Sequence, residues 1–190
     1  MPGPQPDPRV HQAWIGRVNA PHTSAAGRLF DAVAALITGV RETSYEGQAA
    51  MQLEALARTA RAPGRTGAGA LAPPRLYEES DGVLRFDWQP LIERLLGARG
   101  PRSQRAFDFH RAMAEAMAAT ARALRPHGFT EVGLTGGVFQ NVLLTELAHE
   151  TLSAEGLSVR LCEQIPCNDG GLSYGQVVEY AARMHRGLSC

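Results

Sequence analysis

The sequence predicts an α/β fold in which parallel strands are flanked by helices. Three observations carry this reading. The second half alternates helix, strand, Gly-Gly, helix, strand, Gly-Gly, helix, the pattern of consecutive strands joined through helices. Its strand-like runs, Val132 to Leu134 and Leu157 to Cys162, are short and apolar, as buried strands are. The composition is globular, with 44% hydrophobic and 20% charged residues over 190 positions, enough for one domain with a sizeable core.

Charge narrows the classes of function. Nineteen basic residues balance nineteen acidic ones, so there is no electrostatic footprint for nucleic acid or anionic lipid, and neither is expected as a partner. Every basic residue is arginine, which excludes mechanisms that need a lysine. No apolar run approaches the ~18 residues of a membrane span, and the polar, Pro-rich start has no signal-peptide core. Three cysteines (Cys162, Cys167, Cys190) without CxxC spacing argue against a disulfide framework or an all-cysteine zinc site. A reducing cytoplasm is the simplest setting.

In chain order, residues 1–20 read as a Pro-rich, disordered lead-in or domain edge, with a short helix or connector from Val10 to Val18. Residues 23–38 read as a helix capped by Thr23 or Ser24 and stopped at Gly39, with Leu29, Phe30, Val33, Leu36 and Ile37 on its core face. Arg28 and Asp31 share a face as an exposed ion pair or a ligand contact. Ser44-Tyr-Glu-Gly47-Gln48 precedes a helix over Ala49 to Ala60 and reads either as a capped turn or as a loop facing a ligand. Residues 61–74 form a Gly/Pro/Ala-rich loop. Asp81-Gly82 between two runs predicts a hairpin, followed by a short helix, Leu91 to Leu96. The longest helix is expected from Ser103, as N-cap, to Arg125. It carries His110, read as a core or surface histidine because no second histidine lies at i+3 or i+4.

The two Gly-Gly corners are the candidate site. Gly136-Gly137 follows a strand and opens a helix expected over Val138 to Glu155. Glycine lets a ligand approach the backbone, and a helix start offers unpaired N–H groups to phosphate. Asn168-Asp169-Gly170-Gly171 repeats the arrangement before a helix over Leu172 to Met184. Asp169 reads as a metal ligand or water-orienting group, or as an N-cap. In a parallel sheet both corners fall at the carboxyl ends of strands, where ligands bind in open α/β sheets.

Four blocks together resemble one family: Ser24-Ala-Ala-Gly-Arg-Leu-Phe-Asp31 with its continuation to Leu36, Ser44-Tyr-Glu-Gly-Gln48 with the helix after it, Leu134-Thr-Gly-Gly-Val-Phe-Gln-Asn141, and Pro166-Cys-Asn-Asp-Gly-Gly-Leu-Ser-Tyr-Gly-Gln176. They are similar to the C-terminal part of the HypF carbamoyltransferases of nickel–iron hydrogenase maturation. The resemblance implies an actin-like (RNase H-like) ATPase lobe, a mixed sheet flanked by helices, with residues 21–190 as the second of two lobes around a nucleotide. It also implies a reaction: a neighbouring domain makes carbamoyl-adenylate from carbamoyl phosphate and ATP, and the lobe pair transfers the carbamoyl group to the C-terminal cysteine of a HypE-type partner. The resulting thiocarboxamide goes on to supply cyanide to the hydrogenase.

By motif match, Gly136, Gly137 and Asn141 lie near the phosphates, Asp31 near the ribose, and Gly47 and Gln48 near the nucleotide pocket. Asp169 matches an aspartate of a divalent metal site (iron or zinc), whose metal would polarise the carbamoyl carbonyl. The pattern also departs from the family. The histidine pair expected from the first lobe is absent, since His11, His22, His110, His127, His149 and His185 are scattered. The first lobe and the adenylate-forming domain are absent too, so the lobe alone is expected to be an inactive part of an ATP-dependent carbamoyltransferase. Cys167 stands where a second proline is expected, either packing or placing a thiol beside the metal. Two other readings remain open: a non-catalytic module that docks HypE, and a lobe of a small-molecule O-carbamoyltransferase.

Overall fold

The chain folds around one long helix. In a computed structural model that describes residues 7–60, 74–97 and 100–185, α5 (Arg102–Leu124) runs through the core and buries side chains on several faces. Many of these are alanines (Ala106, Ala112, Ala114, Ala116, Ala118, Ala121), which let neighbouring helices approach closely. α3 (Gln48–Arg58) packs against it on one side and α6 (Val142–Ala154) on the other, while α2 (Ala26–Thr38) contacts both α3 and α5. Phe30 and Phe109 meet edge to face, ring centres 4.8 Å apart, at the middle of this packing. Burying each aromatic stabilises the fold by about 1.5–3 kcal/mol.

The strands form two pairs. β1 (Arg75–Glu78) and β2 (Leu84–Asp87) make the expected antiparallel hairpin, with Gly82 at φ +75° in its turn. Arg85 bonds both Asp81 carboxylate oxygens and lowers that group's pKa to about 2. The short helix α4 (Gln89–Gly97) follows, with Pro90 in its first turn. β3 (Glu131–Leu134) and β4 (Ser158–Leu161) pair in parallel, Leu134 opposite Leu161, as the alternation predicts. Their connection is α6, which packs on β4. Arg122 and Arg125, at the end of α5, bond the side chain and the carbonyl of Glu155 after α6 and so tie the two helix ends together.

Several boundaries differ from the sequence reading, each for a local reason. The first cap is neither Thr23 nor Ser24: Ala25 holds the N-cap position, and Thr23 Oγ1 instead accepts from Ala25 N–H at 3.1 Å. Ser103 lies inside α5, whose N-cap is Pro101. The helix expected from Val138 is interrupted. Gly137–Gln140 is a single 3₁₀ turn, Asn141 is extended, and α6 begins only at Val142. Part of the Pro-rich lead-in is helical, since α1 (Pro8–Ile15) starts on an Asp7 cap, but none of its residues is buried. The lead-in over 1–6, the loop over 61–73 and Cys190 lie outside the described residues.

The last helix, α7 (Leu172–His185), also buries nothing. Leu172, Tyr174, Val177, Val178, Tyr180 and Met184 are all exposed. Among the described residues no helix is long and apolar enough to cross a membrane.

Glu54 gives a direct test of how α3 is fastened to α6. Its Oε1 accepts from Leu143 N–H at 3.1 Å, 89 positions away in sequence, and also pairs with Arg58. Truncation to Ala leaves an orphaned helix donor. We expect Glu54→Ala to lower the unfolding free energy by about 1–2 kcal/mol, read by urea denaturation, while Glu54→Gln retains most of it.

Candidate functional site

The two glycine corners meet, as the parallel register requires. The chain leaves β3 at Thr135 and enters Gly136 at φ +106°, ψ 153°, a conformation essentially closed to residues with a Cβ. The Gly136 N–H donates to the Cys167 carbonyl at 2.6 Å, which joins the first corner to the second. In the second corner Asn168, not Asp169, is the cap: its Oδ1 accepts from Gly170 N–H at 3.0 Å. Asp169 is exposed, with no ion-pair partner among the described residues.

The four glycines are there for different reasons. A Cβ on Gly171 would lie 2.5 Å from the Pro166 carbonyl oxygen, so close packing dictates that residue. A Cβ on Gly170 would press on Asn168 Oδ1 at 3.0 Å. Gly136 is dictated by its backbone angles. Among the described residues nothing dictates Gly137: it lies in a right-handed turn, and the nearest atom to an added Cβ is Asn168 Cβ at 3.9 Å. Open space above a glycine backbone suits close approach by a ligand.

The start of α6 differs from the expected phosphate cradle. Leu144 N–H is taken by Asn141 Oδ1 at 2.9 Å and Leu143 N–H by Glu54 Oε1 at 3.1 Å. Asn141 is therefore committed within the chain, and the Glu54 carboxylate occupies the positive end of the helix. Further donors lie in the 3₁₀ turn, whose first amides, Gly137 and Val138, have no carbonyl within the turn to bond. Asn141 is held in turn by His110, whose Nε2 lies 2.9 Å from Asn141 Nδ2. His110 is fully buried, its ring 5.2 Å from Phe30, so of its two sequence readings the structure places it in the core.

Asp31 and Gly47 meet elsewhere, in a cavity of about 420 Å³ between α2 and the start of α3. Arg28, Arg41, Thr43 and Glu46 share its lining. Gly47 stands at φ +80° and caps α3. Arg28 reaches Asp31 at 3.0 Å and Glu46 at 3.9 Å; at this exposure such pairs contribute little stability, roughly 0–1 kcal/mol, and remain available to a ligand. A carboxylate and guanidinium groups on one wall can accept from sugar hydroxyls and donate to an anion. Gln48 does not line the cavity. Its Oε1 accepts from Ser44 N–H at 2.6 Å and closes the loop. The cavity and the corner share one helix, since α2 also contacts the Gly137–Gln140 turn.

Sequence reasoning missed Glu54 and Arg41, and gave His110 no role beyond packing. Glu54 left only a weak signal, a lone acid in the apolar run Leu53 to Ala57. For the metal, Asp169 offers a single carboxylate. Among the described residues no group of three or more His, Cys, Asp or Glu could hold an ion, so these residues do not make a metal site by themselves.

Comparison with known proteins places this geometry. Residues 3–176 match the family model described as "Carbamoyltransferase, Kae1-like Domain, second subdomain". The chain is 41% identical over 172 residues to the carbamoyltransferase HypF of Rhodobacter capsulatus, covering 88% of this chain and 21% of the relative. It is 38% identical over 191 residues to carbamoyltransferase HypF2 of Cupriavidus necator, covering 90% and 23%. Its structure resembles that of full-length HypF in a phosphate- and nucleotide-bound form, with TM-score 0.78, 30% identity, and 90% of this chain against 22% of that one. The chain thus spans about a fifth of the length of the relatives it matches. The match supports the actin-like lobe that the sequence implied. The chain belongs to the HypF carbamoyltransferase family, in the second subdomain of its Kae1-like domain.

Proposed function

We propose that this chain is the nucleotide-facing second lobe of a domain that transfers a carbamoyl group from carbamoyl-adenylate to the C-terminal cysteine of a HypE-type protein. The observation that carries the reading is the hydrogen-bonded pair of glycine corners, with Gly137 left open above a turn whose first amides have no partner within it. The solved relative in its phosphate- and nucleotide-bound form supports it. A two-lobed domain also accounts for α7, because a first lobe would cover Leu172, Val177, Val178 and Met184.

In this reading the Gly137 and Val138 amides meet the adenylate phosphate, and Asp31 accepts from a ribose hydroxyl in the cavity whose wall includes Gly47. The acceptor thiolate attacks the carbamoyl carbon. The bond from that carbon to the phosphate oxygen breaks, and AMP leaves with the bonding pair. Backbone donors fixed at the phosphate stabilise the charge that develops there, and they need no reorganisation during reaction. Asp169 is assigned to the metal site that the family resemblance implies, with its other ligands supplied from outside these residues. A metal held there would polarise the carbamoyl carbonyl toward attack.

The test pairs this chain with the first lobe of a HypF relative. ATP binding is measured by calorimetry and carbamoyl transfer by the mass of the HypE-type acceptor. Gly137→Ala separates ligand from fold: we expect it to raise stability slightly, by up to about 1 kcal/mol, while weakening ATP at least about tenfold. Unchanged ATP affinity in that variant sinks the phosphate assignment. Gly171→Ala should do the opposite to stability, costing about 1–3 kcal/mol through overpacking, or roughly 2–4 °C in Tm per kcal/mol. Asp169→Ala should abolish transfer without moving Tm; retained transfer removes Asp169 from the reaction.

A further inference from the structure

Among the described residues, His110 is the buried polar side chain of the core, and no ligand role uses it. Its two ring nitrogens have unlike partners. Nδ1 lies 2.8 Å from the Ala106 carbonyl oxygen, which can only accept. Nε2 lies 2.9 Å from Asn141 Nδ2, which can only donate. The imidazole is therefore neutral, with its proton on Nδ1 and its lone pair on Nε2 facing Asn141. The orientation of the Asn141 amide is fixed from its other end, because Oδ1 holds the Leu144 N–H. One side chain thus joins the core histidine to the cap of α6. The Asn141 backbone N–H closes the Gly137–Gln140 turn on the Val138 carbonyl at 3.1 Å.

We infer that His110 is a proton-sensitive positioning residue for the first glycine corner: neutral, it holds Asn141 in the cap, and a proton on Nε2 releases Asn141 and loosens the turn that begins at Gly137. The geometry allows no compromise. A protonated Nε2 donates toward an amide NH₂ that also donates. Turning the amide over would satisfy Nε2 but point NH₂ at the Leu144 N–H. Either way one buried donor loses its acceptor.

The groups around the ring set the direction of the response. α2 presents the uncharged Phe30 ring, and α5 itself presents Phe109. α3 presents Glu54, whose charge favours the proton, though that carboxylate is already engaged by Leu143 N–H and Arg58. The α6 start presents Asn141 and the positive end of a helix, which opposes the proton. On α5, Asp108 and Arg111 neutralise each other at 3.2 Å. Burial dominates and pushes the pKa of His110 below its ordinary 6.5, with the Ala106 bond and Glu54 opposing. Because the folded form holds the lower pKa, the cap is fully stable above pH 6.5 and weakens as pH falls from there toward the native value.

Only the consequence for ligand rests on the proposed function; the latch itself is tested on the chain alone. Nitrogen-15 NMR at neutral pH should show Nδ1 protonated and Nε2 bare. On acidification below pH 6.5, the protection factors of the Leu144 and Gly136 amides, corrected for the intrinsic hydroxide-catalysed rate, should fall by up to about tenfold per pH unit, ahead of those of amides in α2 and α3. His110→Gln keeps an acceptor and cannot titrate, so the pH dependence should vanish. Asn141→Asp sets a carboxylate against both Nε2 and Leu144 N–H, so the cap should persist to lower pH than in the native chain. A histidine that merely fills the core would show all amides exchanging together and the same pH profile in Asn141→Asp, and either result overturns the inference. With the first lobe added, ATP affinity should fall in step with Leu144 protection. Absence of ATP binding at every pH would count against the proposed function and leave the amide result to decide the latch.

Discussion

The start of α6 is the point on which the rest of the lobe depends. Three parts of the chain converge there: the turn from β3, α5 through His110, and α3 through Glu54. A helix terminus needs acceptors for its first amides, and a buried one cannot take them from water. Here one acceptor is local (Asn141) and the other comes from a separate helix. Satisfying the helix therefore fixes the position of α3 against α6 and aims the Gly136–Gly137 turn outward.

That arrangement matters because the sheet supplies little rigidity of its own. β3 and β4 are four residues each, paired only with one another among the described residues. Two short strands are marginal in isolation. Their exposed face carries the Glu131–Arg160 pair at 2.6 Å, which contributes modestly at such exposure. The corner is held from the side by caps and helices, and by the Gly136 to Cys167 bond across the two loops.

The sequence made the order and type of elements legible because periodicity is strong. Leu29, Phe30, Val33 and Ile37 mark α2, and the Asp81-Gly82 turn marks the hairpin. The alternation also places both glycine corners on one edge of the parallel pair. Boundaries set by side-chain to backbone bonds were not legible. Nothing in Val138-Phe-Gln-Asn141 announces that Asn141 stays extended, because the cap draws on His110, thirty-one positions away. The partnership of Glu54 with Leu143 spans 89 positions and was equally invisible. Of the candidate residues, Gly137 and Asp169 stand open, Asp31 and Gly47 line a cavity, and Gln48 and Asn141 turn inward to fasten their own loops.

The two halves of the candidate site are linked by adjacent residues on one helix. Asp31 lines the cavity, and Phe30, its neighbour, packs against His110 in the core. His110 holds Asn141, and Asn141 closes the turn at Gly137. Helical neighbours point about a hundred degrees apart, so one helix can face a ligand with one residue and a core latch with the next. A shift of α2 toward or away from α5 would move Asp31 and the Phe30–His110 contact together. Under the proposed function, the ribose and phosphate ends of a nucleotide would therefore be kept in register by packing that neither end touches.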